Sequence, residues 1–322
     1  MKLSIRYAAA IGACGIILLA LAAVEGVLMS GTWRPFDIAS YYGLAGSAVS
    51  SIEAVLGSSS SQAMVEFFGG GPRLFVVSIL LWACAALVIA IGGRLFGDIP
   101  GCLAGLLFAL SAGGAQGNLA AGEALALALA LASVYLVLCD GKHYLAAGLL
   151  AGAAACMKPL AIILLPLSLL YMRRRWSRRD MAAYGAAWAL LPILAFVFLV
   201  MLLYGYYGGQ LFTLNEGGLP AMAAYHGFSA FGFLSDDGIG LPDALMTAAN
   251  IALAACMLVS LLPLALLGFS RIRGPEARFL LAAGLLFIAS LLVKQYLRYW
   301  LFALPFLVLL CASAFARRPG DA

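Results

Sequence analysis

Asp37 stands in the segment Trp33-Arg-Pro-Phe-Asp37-Ile-Ala-Ser-Tyr41-Tyr42, just past the first long apolar run. An acid, a base and several aromatic rings gather there, where the chain leaves the run. A carboxylate so placed can take a proton from a hydroxyl as general base, with Arg34, Tyr41 and Tyr42 lining a substrate. An Asp at that point also suits a plain N-cap for a helix that begins near Ile38. Lys158 is the second chemical candidate. It lies in Cys156-Met-Lys158-Pro159, between two apolar spans with almost no polar loop. A charge inside a bilayer costs roughly 2.5–3.5 kcal/mol. Lys158 is therefore either a snorkelling turn residue or a cation aimed at a lipid phosphate near the interface. Glu123 begins a span on the same face, where it pairs with a base or caps its helix. Lys294 and Arg298 are four residues apart, beside Tyr299. On a continuous helix both project from one face, and two like charges there want an anion.

These residues have to be positioned by membrane helices. The 322-residue chain is 65% hydrophobic and 10% charged, with a mean hydropathy of +1.05. Soluble domains carry about 25% charged residues. Apolar runs of about 20 residues, enough to cross roughly 30 Å of hydrocarbon, recur from end to end. They are continuous rather than alternating, which excludes a β-barrel. The reading is a single all-α integral membrane domain over residues 1–322. Its spans fall at 7–29, 73–93, 99–114, 119–139, 143–157, 159–173, 181–204, 245–268, 278–294 and 299–316. The spans 99–114 and 143–157 are short for a full crossing, and the pair around Lys158 suits a shallow re-entrant turn. The first span passes its small-x-small site at Ala20–Ala22 and continues to Met29, so it reads as a retained helix rather than a cleaved signal peptide.

Charge orients the bundle. With the amino terminus inside, only Arg34, Arg73, Lys158, Lys294 and Arg298 of the 19 Lys and Arg fall outside. Positive residues accumulate on the cytoplasmic side, so both termini are expected there. The run Arg173-Arg-Arg-Trp-Ser-Arg-Arg179 anchors that orientation and suits anionic headgroups. The net charge of +5 reflects these turns and carries no implication of nucleic-acid binding. Two external segments, 30–72 and 205–244, are large enough to build a site. In the first, residues 41–56 have helical periodicity and suit a helix lying on the membrane surface. Asp236-Asp-Gly238 in the second reads as a solvated turn. The cysteines lie in or beside apolar spans with no metal-like spacing, and read as packing residues.

Three segments carry a family resemblance. Gly93-Arg-Leu-Phe-Gly-Asp98, Ala147-Gly-Leu-Leu-Ala-Gly-Ala-Ala-Ala-Cys-Met-Lys-Pro159 and Leu297-Arg-Tyr-Trp-Leu-Phe-Ala-Leu-Pro305 follow one another in order. Together they resemble GT-C-type polytopic membrane glycosyltransferases, of the protein mannosyltransferase-like and aminoarabinose-transferase-like branch (glycosyltransferase family 39-like). The resemblance implies about ten transmembrane helices with extracytoplasmic loop helices. It implies a polyprenyl-phosphate sugar donor, used outside the cytoplasmic (inner) membrane of a prokaryotic cell. The acceptor would be a lipid, a glycan or a protein. By position Asp37 matches the family's catalytic acid and Glu66 a second acid in the same loop. Lys158, Arg298, Lys294 and Tyr299 would hold the donor phosphate; Arg34, Tyr41, Tyr42 and Glu123 would line the substrate. No metal ligand set is implied, although Asp37 and Glu66 could hold a divalent cation. The chain departs from the pattern in having Asp37-Ile38 where the family has an Asp-Glu doublet, and in its short length. A transporter or lipid flippase, or a non-catalytic subunit of the same fold, are the alternatives.

Overall fold

The computed structural model describes residues 5–29, 71–113, 121–173, 175–207, 259–272, 274–293 and 300–316. Among these residues every regular element is helical. In chain order they are α1 (Ile5–Met29), α2 (Gly71–Phe96), α3 (Asp98–Gly113), α4 (Ala121–Tyr135), α5 (Tyr144–Met157), α6 (Leu164–Met172) and α7 (Arg178–Tyr207). There follow α8 (Val259–Ile272), α9 (Pro275–Val293) and α10 (Trp300–Ser313). A π-helical turn, Leu136–Asp140, extends α4, and a 3-10 turn, Pro159–Ile163, leads into α6.

The turns follow from their residues. Gly97 (φ +100) reverses the chain between α2 and α3, and Gly141 (φ +67) closes the π turn by donating its N–H to the Leu136 carbonyl at 2.8 Å. Only glycine takes such angles without a Cβ clash. Lys158 is extended, with φ −145 and ψ 110, as the residue before a proline must be. Ser177 caps α7: its hydroxyl accepts the Asp180 N–H at 3.1 Å while the Asp180 carboxylate accepts the Ser177 N–H at 3.3 Å. That is a reciprocal capping box.

Small residues let the helices meet. A Cβ on Gly148 or Gly152 would run into the carbonyl oxygens of Tyr184 and Trp188, so α5 lies backbone-to-backbone on α7. In lipid there is no hydrophobic drive between helices, and such close van der Waals packing holds them together. Trp82 on α2 donates its indole N–H to the Ile11 carbonyl of α1 at 2.7 Å. α10 is buried along its whole length and packs on α9, α3 and α2.

The helices alternate in direction, and the turns assigned by charge to one side do share one end. There the Tyr7 hydroxyl donates to Asp98 at 2.5 Å. At the same end Tyr171 donates to Glu276 at 3.0 Å, Arg175 pairs with Glu276, and Arg271 donates to the Ala314 carbonyl. Trp176 meets Tyr144 edge-on, with centroids 5.6 Å apart. The opposite end holds Leu21 beside Gly113, and Met157 beside Gly122.

Three helical segments among the described residues are long and apolar enough to cross a membrane: Ile5–Ala23, Phe75–Phe96 and Gly122–Asp140. Asp98–Gly113 and Tyr144–Met157 are shorter apolar helices, in keeping with the shortness of those two spans in the sequence. The span expected at 245–268 appears as Val259–Ile272; its earlier part lies outside the described residues.

Candidate functional site

The costly cation and the costly acid meet. Lys158 Nζ lies 2.8 Å from Glu123 Oε1, with the Glu123 side chain wholly buried and that of Lys158 14% exposed. α4 supplies Glu123 from its first turn, where the helix dipole favours a carboxylate. The link between α5 and the 3-10 turn supplies Lys158. The Lys158 N–H closes the end of α5 on the Ala154 carbonyl at 2.8 Å, and its own carbonyl accepts the Ala161 N–H at 2.9 Å. Pro159 cannot donate and starts the 3-10 turn, so the single extended residue Lys158 joins the two helical segments.

The pair sits within the bundle. α5 has 14 residues, a rise of about 21 Å from Tyr144 at 1.5 Å per residue. A hydrocarbon core is about 30 Å thick. Cys84 approaches the carbonyl of Ala124, the residue after Glu123, at 3.8 Å. Cys84 lies near the middle of the Phe75–Phe96 span. Both measures place the pair along the length of the bundle: level with the middle of the Phe75–Phe96 segment and one α5 length from Tyr144. Each charge makes the other tolerable there, because a buried ion is stable only with its counter-ion. The pair is neutral as a whole. An anion that approaches Lys158 shares the ammonium with Glu123 instead of meeting an isolated charge.

Lys158 and Glu123 are brought together from two helices. Arg34, Asp37, Tyr41, Tyr42 and Glu66 lie outside the described residues, as do Lys294, Arg298 and Tyr299 and the surface helix expected at 41–56. The side chain of Glu25 is likewise outside them. Among the described residues no group of three His, Cys, Asp or Glu gathers as a metal site.

Two arrangements at the basic end were not read from sequence. Glu276 takes both Arg175 and Tyr171, and the Arg175 guanidinium lies 5.0 Å from the centre of the Tyr171 ring. A separation of more than a hundred residues hides such a cluster (Arg175 to Glu276). The other is a groove beside α6, at Arg173, Trp176 and Arg178. Its signal was the tryptophan that interrupts the basic run. With this geometry in hand, comparison with known proteins places the chain in no group: no family model, no curated protein and no solved structure matches it.

Proposed function

We propose that the chain is a GT-C-like membrane glycosyltransferase of about ten transmembrane helices. It moves a sugar from a polyprenyl-phosphate donor to a lipid, glycan or protein acceptor. The site faces outward from the cytoplasmic membrane of a prokaryotic cell, with both termini inside. Asp37, as general base, takes the proton of the acceptor hydroxyl. The hydroxyl oxygen bonds to the anomeric carbon, and the bond from that carbon to the phosphate oxygen breaks. Lys158, with Lys294, Arg298 and Tyr299, receives the charge that develops on the departing lipid phosphate. Glu66 is the second carboxylate of the site.

The observation that carries this reading is the Lys158–Glu123 pair. It is an ammonium fixed by a buried carboxylate in the one-residue link between α5 and the 3-10 turn. Its segment, Ala147–Pro159, is also one that bears the family resemblance. A Lys at a phosphate acts as a point charge, and Glu123 holds that charge in place before the donor arrives.

The test is transfer in proteoliposomes, with labelled polyprenyl-phosphate sugars and extracted envelope lipids or glycans as acceptor. General-base catalysis is worth ~10²–10⁴-fold, so Asp37→Asn should lose that much rate at normal expression. If Asp37 is only a helix cap, Asn caps equally well and the rate survives. Loss in Glu66→Gln with Asp37→Asn unaffected moves the base to Glu66. Wild-type rates in both variants remove the mechanism. The burial of the ion pair between helices favours a second reading, a transporter or flippase, since such proteins keep paired charges inside the bundle. In the same vesicles it would move labelled polyprenyl phosphate between leaflets without making a glycosidic bond.

A further inference from the structure

At the basic end, α6 and the start of α7 line a shallow, open groove of about 800 Å³. Leu169 and Leu170 of α6 and Met181 of α7 form apolar walls, and Leu170 is 66% exposed. Arg173 and Arg178 stand at its mouth with Trp176 between them in sequence. Trp176 is clamped against Tyr144 and Tyr184, with ring centroids 5.6 and 6.3 Å away, so this lip of the groove is built rather than loose. The neighbouring Arg175 is already committed to Glu276. Arg173 and Arg178 are both exposed, and among the described residues neither stands in an ion pair.

We infer that this groove binds an anionic glycerophospholipid from the leaflet that meets the basic end. The mouth offers two guanidiniums, whose planar forks suit phosphate oxygens bidentately. The walls offer only apolar side chains, from Pro166, Leu169, Leu170 and Met181. A free phosphate would use the mouth and leave the walls wet. A zwitterionic lipid would bring its own cation against the two arginines. Tryptophan at headgroup level is the usual membrane-interface placement, and basic pockets between membrane helices hold anionic headgroups. The site is separate from the Lys158–Glu123 pair and does not depend on the activity proposed above.

Native mass spectrometry of the full-length protein in detergent tests this, with phosphatidylglycerol or phosphatidylcholine added. The wild type should retain phosphatidylglycerol preferentially. Each charge-assisted hydrogen bond is worth about 1.5–3 kcal/mol, so Arg173→Ala/Arg178→Ala should weaken retention at least about tenfold. Arg94→Ala/Lys142→Ala removes the same charge at the same end, outside the groove, and should leave retention unchanged. Leu170→Trp fills the groove, keeps every charge and should also weaken binding. Equal retention of the two lipids, an equal loss in the control pair, or wild-type affinity in Leu170→Trp each overturns the proposal. Displacement by millimolar glycerol phosphate would also overturn it, by reducing the site to its headgroup contacts.

Discussion

Lys158 shows what a single residue's type discloses and what it hides. Lysine between two apolar spans is costly wherever it sits, and that was legible. Its partner was legible in part: Glu123 read as pairing with a base on that face or capping its helix, and the packing of α4 on α5 names the base by bringing the two within 2.8 Å. The pairing makes a sharp stability prediction. Removing one partner of a buried pair typically costs about 3–5 kcal/mol, whereas replacing both by apolar groups is often neutral. Lys158→Met should therefore lower the thermal midpoint in detergent, and Lys158→Met/Glu123→Leu should recover most of it. Transfer should stay lost in the double variant if Lys158 serves the donor. Recovery of both together would make the pair purely structural.

At the level of elements, the helices lie close to where the apolar runs put them. The expected 143–157 became Tyr144–Met157, and 278–294 became Pro275–Val293. Run length and the Gly and Pro between runs were enough for that. The Ser177–Asp180 capping box was readable as Ser-x-x-Asp, a local pattern. The choice of α7 as the partner of α5 was not readable, since glycines at 148 and 152 advertise a close contact without naming the other helix. Gly152→Leu should force α5 off the Trp188 backbone, at about 1–3 kcal/mol as overpacking usually costs. Gly185 on α7 has open space around it. Gly185→Ala should be neutral or slightly stabilising, because alanine is the better helix former. Denaturation midpoints of the two variants compare a packed glycine with an idle one.

For the whole molecule, the basic residues sorted the turns into two sets, and the structure gathers the members of one set at a common end. Tyr7 on Asp98 and Arg175 on Glu276 are the visible ties. Charge asymmetry could indicate this because every short turn reverses direction, so one assignment propagates along the chain. The membrane side that the end faces is an expectation from the positive-inside bias. Single cysteines in a background without the native ones test it in intact cells. An impermeant thiol reagent should label Ser59→Cys and Ser235→Cys and leave Ser177→Cys untouched; labelling at position 177 would invert the orientation. Segment 30–70, which carries Asp37 and Glu66, lies outside the described residues, so the expectation there is of chemistry alone. Mixed aromatic and polar residues with weak periodicity set no register.

The burial of α10 bears on how the protein is made. It is the last of the described helices to leave the ribosome, yet it is enclosed from Trp300 to Ser313 and fills the space between α9, α3 and α2. Helices enter the bilayer in order of synthesis, so the earlier ones must wait with lipid or a chaperone against the faces that α10 later covers. Order of insertion and order of enclosure thus run in opposite directions. The faces of α9, α3 and α2 that α10 covers are closed only when this helix arrives. Until then the glycines that meet α10 in the finished bundle, Gly92 against Leu309, Gly268 against Leu310 and Gly284 against Leu307, lack that partner helix.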